Sequence, residues 1–88
     1  MLTLKNLESL NFVFVQKDGN KSVFQNNCEF NRDEKIHFGE VYKDRRYIAI
    51  ENNCGQFYFM GWLKTKKELK KILEQVGIGF RDSNQADA

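Results

Sequence analysis

The chain has 88 residues, 41% hydrophobic and 30% charged, with 14 lysines and arginines against 12 carboxylates, a balance that leaves room for one domain and no separate catalytic lobe. Twelve aromatic residues, eight of them phenylalanine, supply a core and exclude a disordered chain. No run approaches the ~20 consecutive apolar residues of a membrane helix, and Lys5, Asn6 and Glu8 interrupt the apolar start in a way no secretory leader tolerates, so the expected setting is the cytoplasm, away from membranes.

Thr3 can cap a short helix in which Leu4, Leu7 and Leu10 recur at helical spacing. The period then switches. Phe12-Val13-Phe14-Val15 is β-branched and aromatic, Asp18-Gly19 is a strong hairpin signal, and Lys21 to Gln25 forms the return strand. Asn26-Asn27 breaks the run and Asn31 to Glu34 reads as a loop. Lys35 to Tyr42 alternates until Gly39, where a slip predicts a bulge. Lys43-Asp44-Arg45 turns the chain, Arg46 to Glu51 and Gln56 to Trp62 are the last strands, and Asn52 to Gly55 joins them. Thr65-Lys66-Lys67-Glu68 is a capping box that opens a helix over Lys66 to Val76, with Leu69, Ile72, Leu73 and Val76 in one stripe and Gly77 as its stop. The expected fold is α+β: a meander of four or five antiparallel strands, with a short N-terminal and a longer C-terminal helix on one face. Residues 1–80 form the domain, and Arg81 to Ala88 is a polar tail expected to fray.

Little in this chain points to catalysis. There is no Gly-rich phosphate loop and no nucleophile elbow. Cys28 and Cys54 fit no paired spacing and read as small buried or half-buried hydrophobes. His37, between Ile36 and Phe38, reads as a polar-face strand residue and not as a ligand, and Asp33-Glu34 as solvated turn charges. A non-enzymatic module without metal or cofactor is the expectation.

Two features could carry binding. In the last strand, Phe57 and Phe59 point one way and Tyr58, Met60 and Trp62 the other, and both sets are apolar, whereas a half-exposed strand should alternate with polar residues. Phe57 and Phe59 are assigned to the core. Tyr58, Met60 and Trp62, with Tyr47 and Arg46 as further anchors and Tyr42 nearby, then form an open face of the residue types that dominate protein interfaces. Against this, the strand could be central and covered on both sides by the N-terminal helix, the Cys28 segment or Phe80. A second copy of the chain could also occupy such a face. The other feature is Lys64, Lys66, Lys67, Lys70 and Lys71 at the start of the last helix, an alternative surface for nucleic-acid phosphates, although lysines there oppose the helix dipole and also serve simply as a solvated face.

The run Gly61 to Lys71 resembles the lysine-rich second-helix start of double-stranded RNA-binding domains, and Gln56-Phe57-Tyr58-Phe59-Met60 is similar to the aromatic strand of RNA-recognition motifs. Each likeness covers about a dozen residues or fewer. The chain has no proline for the strand loop of the first family, and its element order departs from the second. In size and make-up the chain is also similar to the accessory proteins of phages and mobile elements, some of which inhibit host defences. The reading is a small protein-binding module, adaptor or inhibitor, with nucleic-acid binding as the alternative.

Overall fold

A computed structural model describes residues 1–27, 34–52 and 54–82. The elements run α1 (Leu4–Ser9), β1 (Phe12–Asp18), β2 (Lys21–Asn26), β3 (Lys35–Tyr42), β4 (Arg45–Glu51), β5 (Phe57–Leu63) and α2 (Lys66–Gln75). The five strands form one antiparallel sheet in the order β1-β2-β3-β4-β5, each pairing with its neighbour in sequence. This is the expected α+β meander, with five strands. β5 lies at a sheet edge, so it is not the central strand that would need covering on both sides.

α1 is held at both ends because six residues cannot stabilise a helix alone. Thr3 Oγ1 accepts from the Asn6 backbone N–H, and Asn6 Oδ1 accepts from that of Thr3 at 2.8 Å. Leu2, just before the cap, and Leu7 are both fully buried, a hydrophobic staple that fixes how the chain enters the helix. The stripe therefore differs from the expected one. Leu2 joins Leu7 and Leu10 in the core, while Leu4 is 48% exposed. Asn11, with φ at +69°, turns the chain out of the helix, and its backbone and side chain bind Asn27 at the end of β2.

The first hairpin turns one residue later than expected. Asp18 pairs with Lys21, leaving Gly19-Asn20 as the two-residue loop, with the left-handed φ of +63° at Gly19 that a glycine in the first loop position supplies. The bulge in β3 appears where the alternation slips: the pairing with β4 shifts register between Phe38 and Val41.

α2 is bounded by a full capping box and a glycine stop. Thr65 Oγ1 accepts from the Glu68 N–H, and Glu68 Oε1 accepts from Lys64 and Thr65 at 2.7 and 3.0 Å. At its end Gly77 takes φ of +77°, its N–H donates to Glu74 O and that of Ile78 to Leu73 O, which closes a Schellman motif and carries Ile78 into the core beside Leu73.

One core lies between the two helices and one sheet face. Leu2, Leu7, Leu10, Leu69, Leu73 and Ile78 cover Phe12, Phe24, Ile36, Phe38, Ile48, Ile50 and Leu63. Each fully buried leucine is worth ~1.5–3 kcal/mol. Phe80 packs on this same cluster and so does not cover Met60 or Trp62. Three further expectations are corrected. Glu34 is buried, because its carboxylate accepts from Asn26 Nδ2 at 3.2 Å while that same amide donates to Gly79 O at 2.8 Å. Asp82, at the start of the segment expected to fray, has a side chain only 5% exposed, held between two lysines. Cys54 is exposed, and Cys28 and Asp33 lie outside the described residues.

The N–H groups of Lys64 and Thr65 hold the Glu68 carboxyl below its ordinary value of 4.5. A group depressed in the folded state contributes stability above its unfolded pKa and loses it as pH falls. Glu68→Gln should therefore be less stable than the parent at neutral pH, and urea melts should show the gap closing as pH drops below about 4.5. A gap unchanged in acid would show that the charge is not what the cap uses.

Candidate functional site

Strand parity places a second, uncovered layer of side chains opposite the core. Ile48 and Ile50 face the helices, so Tyr47, Ala49 and Glu51 face away, and across the register Tyr47 meets Trp62, Ala49 meets Met60 and Glu51 meets Phe57. Between the Ile50–Phe59 and Glu51–Phe57 pairs β5 moves two residues while β4 moves one, which makes Tyr58 the extra residue of a bulge. The bulge resets the parity. Phe57, expected in the core with Phe59, instead lies on the open face with its ring 5.7 Å from His37, and only Phe59 packs on the core. Neither sequence nor alternation marks that bulge, so Phe57 was not legible as a surface residue.

The Gly39 bulge does the same for Tyr42. Strict alternation from Phe38 would send Tyr42 toward the helices, but the inserted residue pairs it with Arg45 and brings it onto the open face. Trp62 then becomes the centre of an aromatic group, edge-on to Tyr47 at 5.5 Å and to Tyr42 at 6.0 Å. Tyr47 in turn lies against the backbone of Gly39, where a Cβ would sit 3.1 Å from its ring and 3.3 Å from its carbonyl oxygen. Trp62 is 43% exposed, Phe57 47% and Met60 61%, and Tyr42 and Tyr58 are also exposed. His37 lies on this open, largely aromatic face and not on a polar one, its Nε2 3.5 Å from Glu51 Oε2.

Arg46 does not join this group. It follows the alternation to the helix-bearing side, where its guanidinium stacks 4.3 Å from the Phe38 ring centre and Nη1 donates to Gly39 O, and burial pushes its pKa down. The structure thus brings together Tyr47, Tyr58, Met60 and Trp62 with the nearby Tyr42 of the sequence reading, adds Phe57, and separates Arg46 from them.

The lysines of α2 are largely engaged within the chain. Lys66 and Lys70 both bind the Asp82 carboxylate at 2.8 Å, and Lys64 binds Asp44 at 3.1 Å, holding that carboxyl below its ordinary range. Lys67 and Lys71 are the members of the five with no ion pair among the described residues. The described residues contain no group of three His, Cys, Asp or Glu side chains arranged to hold a metal ion, and no helix is long and apolar enough to cross a membrane.

No protein-family model, no curated protein and no solved structure matches this chain.

A methyl group on Gly39 would meet the ring, Cβ and carbonyl oxygen of Tyr47 at 3.1, 3.2 and 3.3 Å, so Tyr47 must give by a few tenths of an ångström to admit it. Gly39→Ala should cost about 1–3 kcal/mol in chemical denaturation, and the cost should be smaller when measured against a Tyr47→Ala parent, which lacks the ring contact at 3.1 Å but keeps the Cβ and carbonyl contacts. A neutral Gly39→Ala would show that β3 relaxes without the Tyr47 contact.

Proposed function

We propose that this protein is a small binding module, an adaptor or inhibitor, that docks on another protein through the sheet face opposite its helices. The observation that carries this is the exposure of Tyr42, Phe57, Tyr58, Met60 and Trp62 on one side of a sheet whose core is complete on the other. Leaving such residues in water is unfavourable for a monomer, and contiguous apolar patches of this kind mark interaction sites. Aromatic residues and methionine bury large area with few rotatable bonds, and the edge-to-face packing of Tyr42 and Tyr47 on Trp62 orders part of the face before a partner arrives. Binding, and no bond-making chemistry, is the role this arrangement supports, as in the accessory inhibitors that the chain is similar to in size and make-up.

The alternative, nucleic acid held by Lys64, Lys66, Lys67, Lys70 and Lys71, draws less support because three of the five already neutralise Asp44 and Asp82. Trp62→Ala should weaken capture of the partner by at least about 30-fold while leaving the thermal transition cooperative, whereas Lys67→Gln with Lys71→Gln should leave it unchanged. Binding of generic RNA or DNA that falls linearly with salt on logarithmic axes would move the site to the lysines. A dimer by light scattering, lost in Trp62→Ala, would make the partner a second copy.

A further inference from the structure

On the proposed binding face, the hairpin tip and the aromatic group enclose a groove of about 490 Å³, lined by Asp18, Lys21, Gly39, Glu40, Tyr47 and Trp62 with the Gly19-Asn20 turn. That is within the ~300–1,000 Å³ range of clefts that take a ligand group. These residues share one level across the sheet: Lys21 precedes the Ser22–Phe38 pair, Gly39 and Glu40 form the β3 bulge, and Tyr47 pairs with Trp62. Gly39 has no side chain to fill the middle of that row.

The charges of the groove are unbalanced. Among the described carboxylates, Asp44 and Asp82 are neutralised by lysines, Glu51 faces His37, Glu34 is bonded to Asn26, and Glu68 caps α2. Four described carboxylates, Glu8, Asp18, Glu40 and Glu74, have no such partner among the described residues, and of these Asp18 and Glu40 line this one groove. Lys21 is the single cation facing them there. Nearby Lys43 lies over the Tyr42 ring and Arg45 beside Asp44. An excess of negative charge next to an indole and a phenol, in a chain whose net charge is +2, favours a cation from outside.

We infer that this groove receives an arginine side chain of the partner protein, an inference that rests on the binding-face reading above. A guanidinium is planar and weakly hydrated, so it can lie along the aromatic wall of Trp62 and Tyr47 while its N–H groups donate to the Glu40 and Asp18 carboxylates. A lysine ammonium is a more strongly hydrated point charge without the fork.

Trp62 is the chain's one tryptophan, so its emission reports on the groove directly. The probe is acetyl-Gly-Arg-Gly-amide titrated into the full chain, beside versions with lysine, glutamate or the uncharged isostere citrulline in place of arginine. The arginine peptide should give a saturable change in emission, and the citrulline and glutamate peptides should bind at least about fivefold more weakly. Asp18→Asn and Glu40→Gln, both at exposed positions, should each weaken the arginine peptide by a similar factor with the thermal transition unchanged. No saturable change, or equal binding of the citrulline or glutamate peptide, overturns the inference. If a partner is captured through Trp62 but its affinity is indifferent to Asp18→Asn and Glu40→Gln, the arginine occupant is wrong and the binding face stands. If Trp62→Ala leaves capture intact, the face itself is wrong.

Discussion

Tyr47 lies against the bare backbone of Gly39, and this contact sits under most of what is distinctive in the molecule. The glycine marks the bulge in β3, and the bulge changes which side of the sheet the rest of that strand presents. Tyr42 moves to the open face as a result and meets Trp62, which Tyr47 supports from the adjoining strand. A Cβ at position 39 would press on Tyr47 at 3.1–3.3 Å and stand in the middle of the groove. Packing and site geometry therefore depend on the same missing Cβ.

The two faces of the sheet divide the work. On one side, a stapled and capped α1 and a capped α2 with a Schellman end seal the core so completely that nine large side chains, from Leu2 to Leu73, have essentially no contact with solvent. Short helices on a five-stranded sheet gain their stability from that burial and not from intrinsic propensity. On the other side, Phe57, Met60, Trp62 and Tyr42 stay in water although a covered arrangement would be more favourable. The chain's charge follows the same division. Cations near α2 are engaged by Asp44 and Asp82, which ties Asp82 to the helix, while the carboxylates of Asp18 and Glu40 have no ion-pair partner among the described residues and lie beside the aromatic group.

Elements with local causes are legible in the amino-acid sequence. The α2 cap and stop, the first hairpin, the bulge at Gly39 and the α+β order follow from side chains within a few residues of one another, because capping, turn and period signals act over that range. Most of the aromatic face is legible too, since Met60 and Trp62 flank Gly61, the sheet partner of the core residue Ile48, and so point away from the core. Phe57, Tyr42 and Arg46 are misplaced or left open by sequence reasoning, and each for a reason of register. The bulge at Tyr58 has no glycine to announce it, and the lysine pairs with Asp82 join residues separated by a whole helix.

By itself the sequence determined that one α+β domain forms, where its helices begin and end, and that its strands carry more aromatic surface than one core can use. Only the tertiary structure decided which aromatics share a face, which lysines are already neutralised and which carboxylates line the groove beside Trp62. Parity in a sheet is inherited across hydrogen-bonded neighbours, so a single inserted residue exchanges inside for outside for everything beyond it, and charge pairing depends on distances that the chain acquires only when it closes.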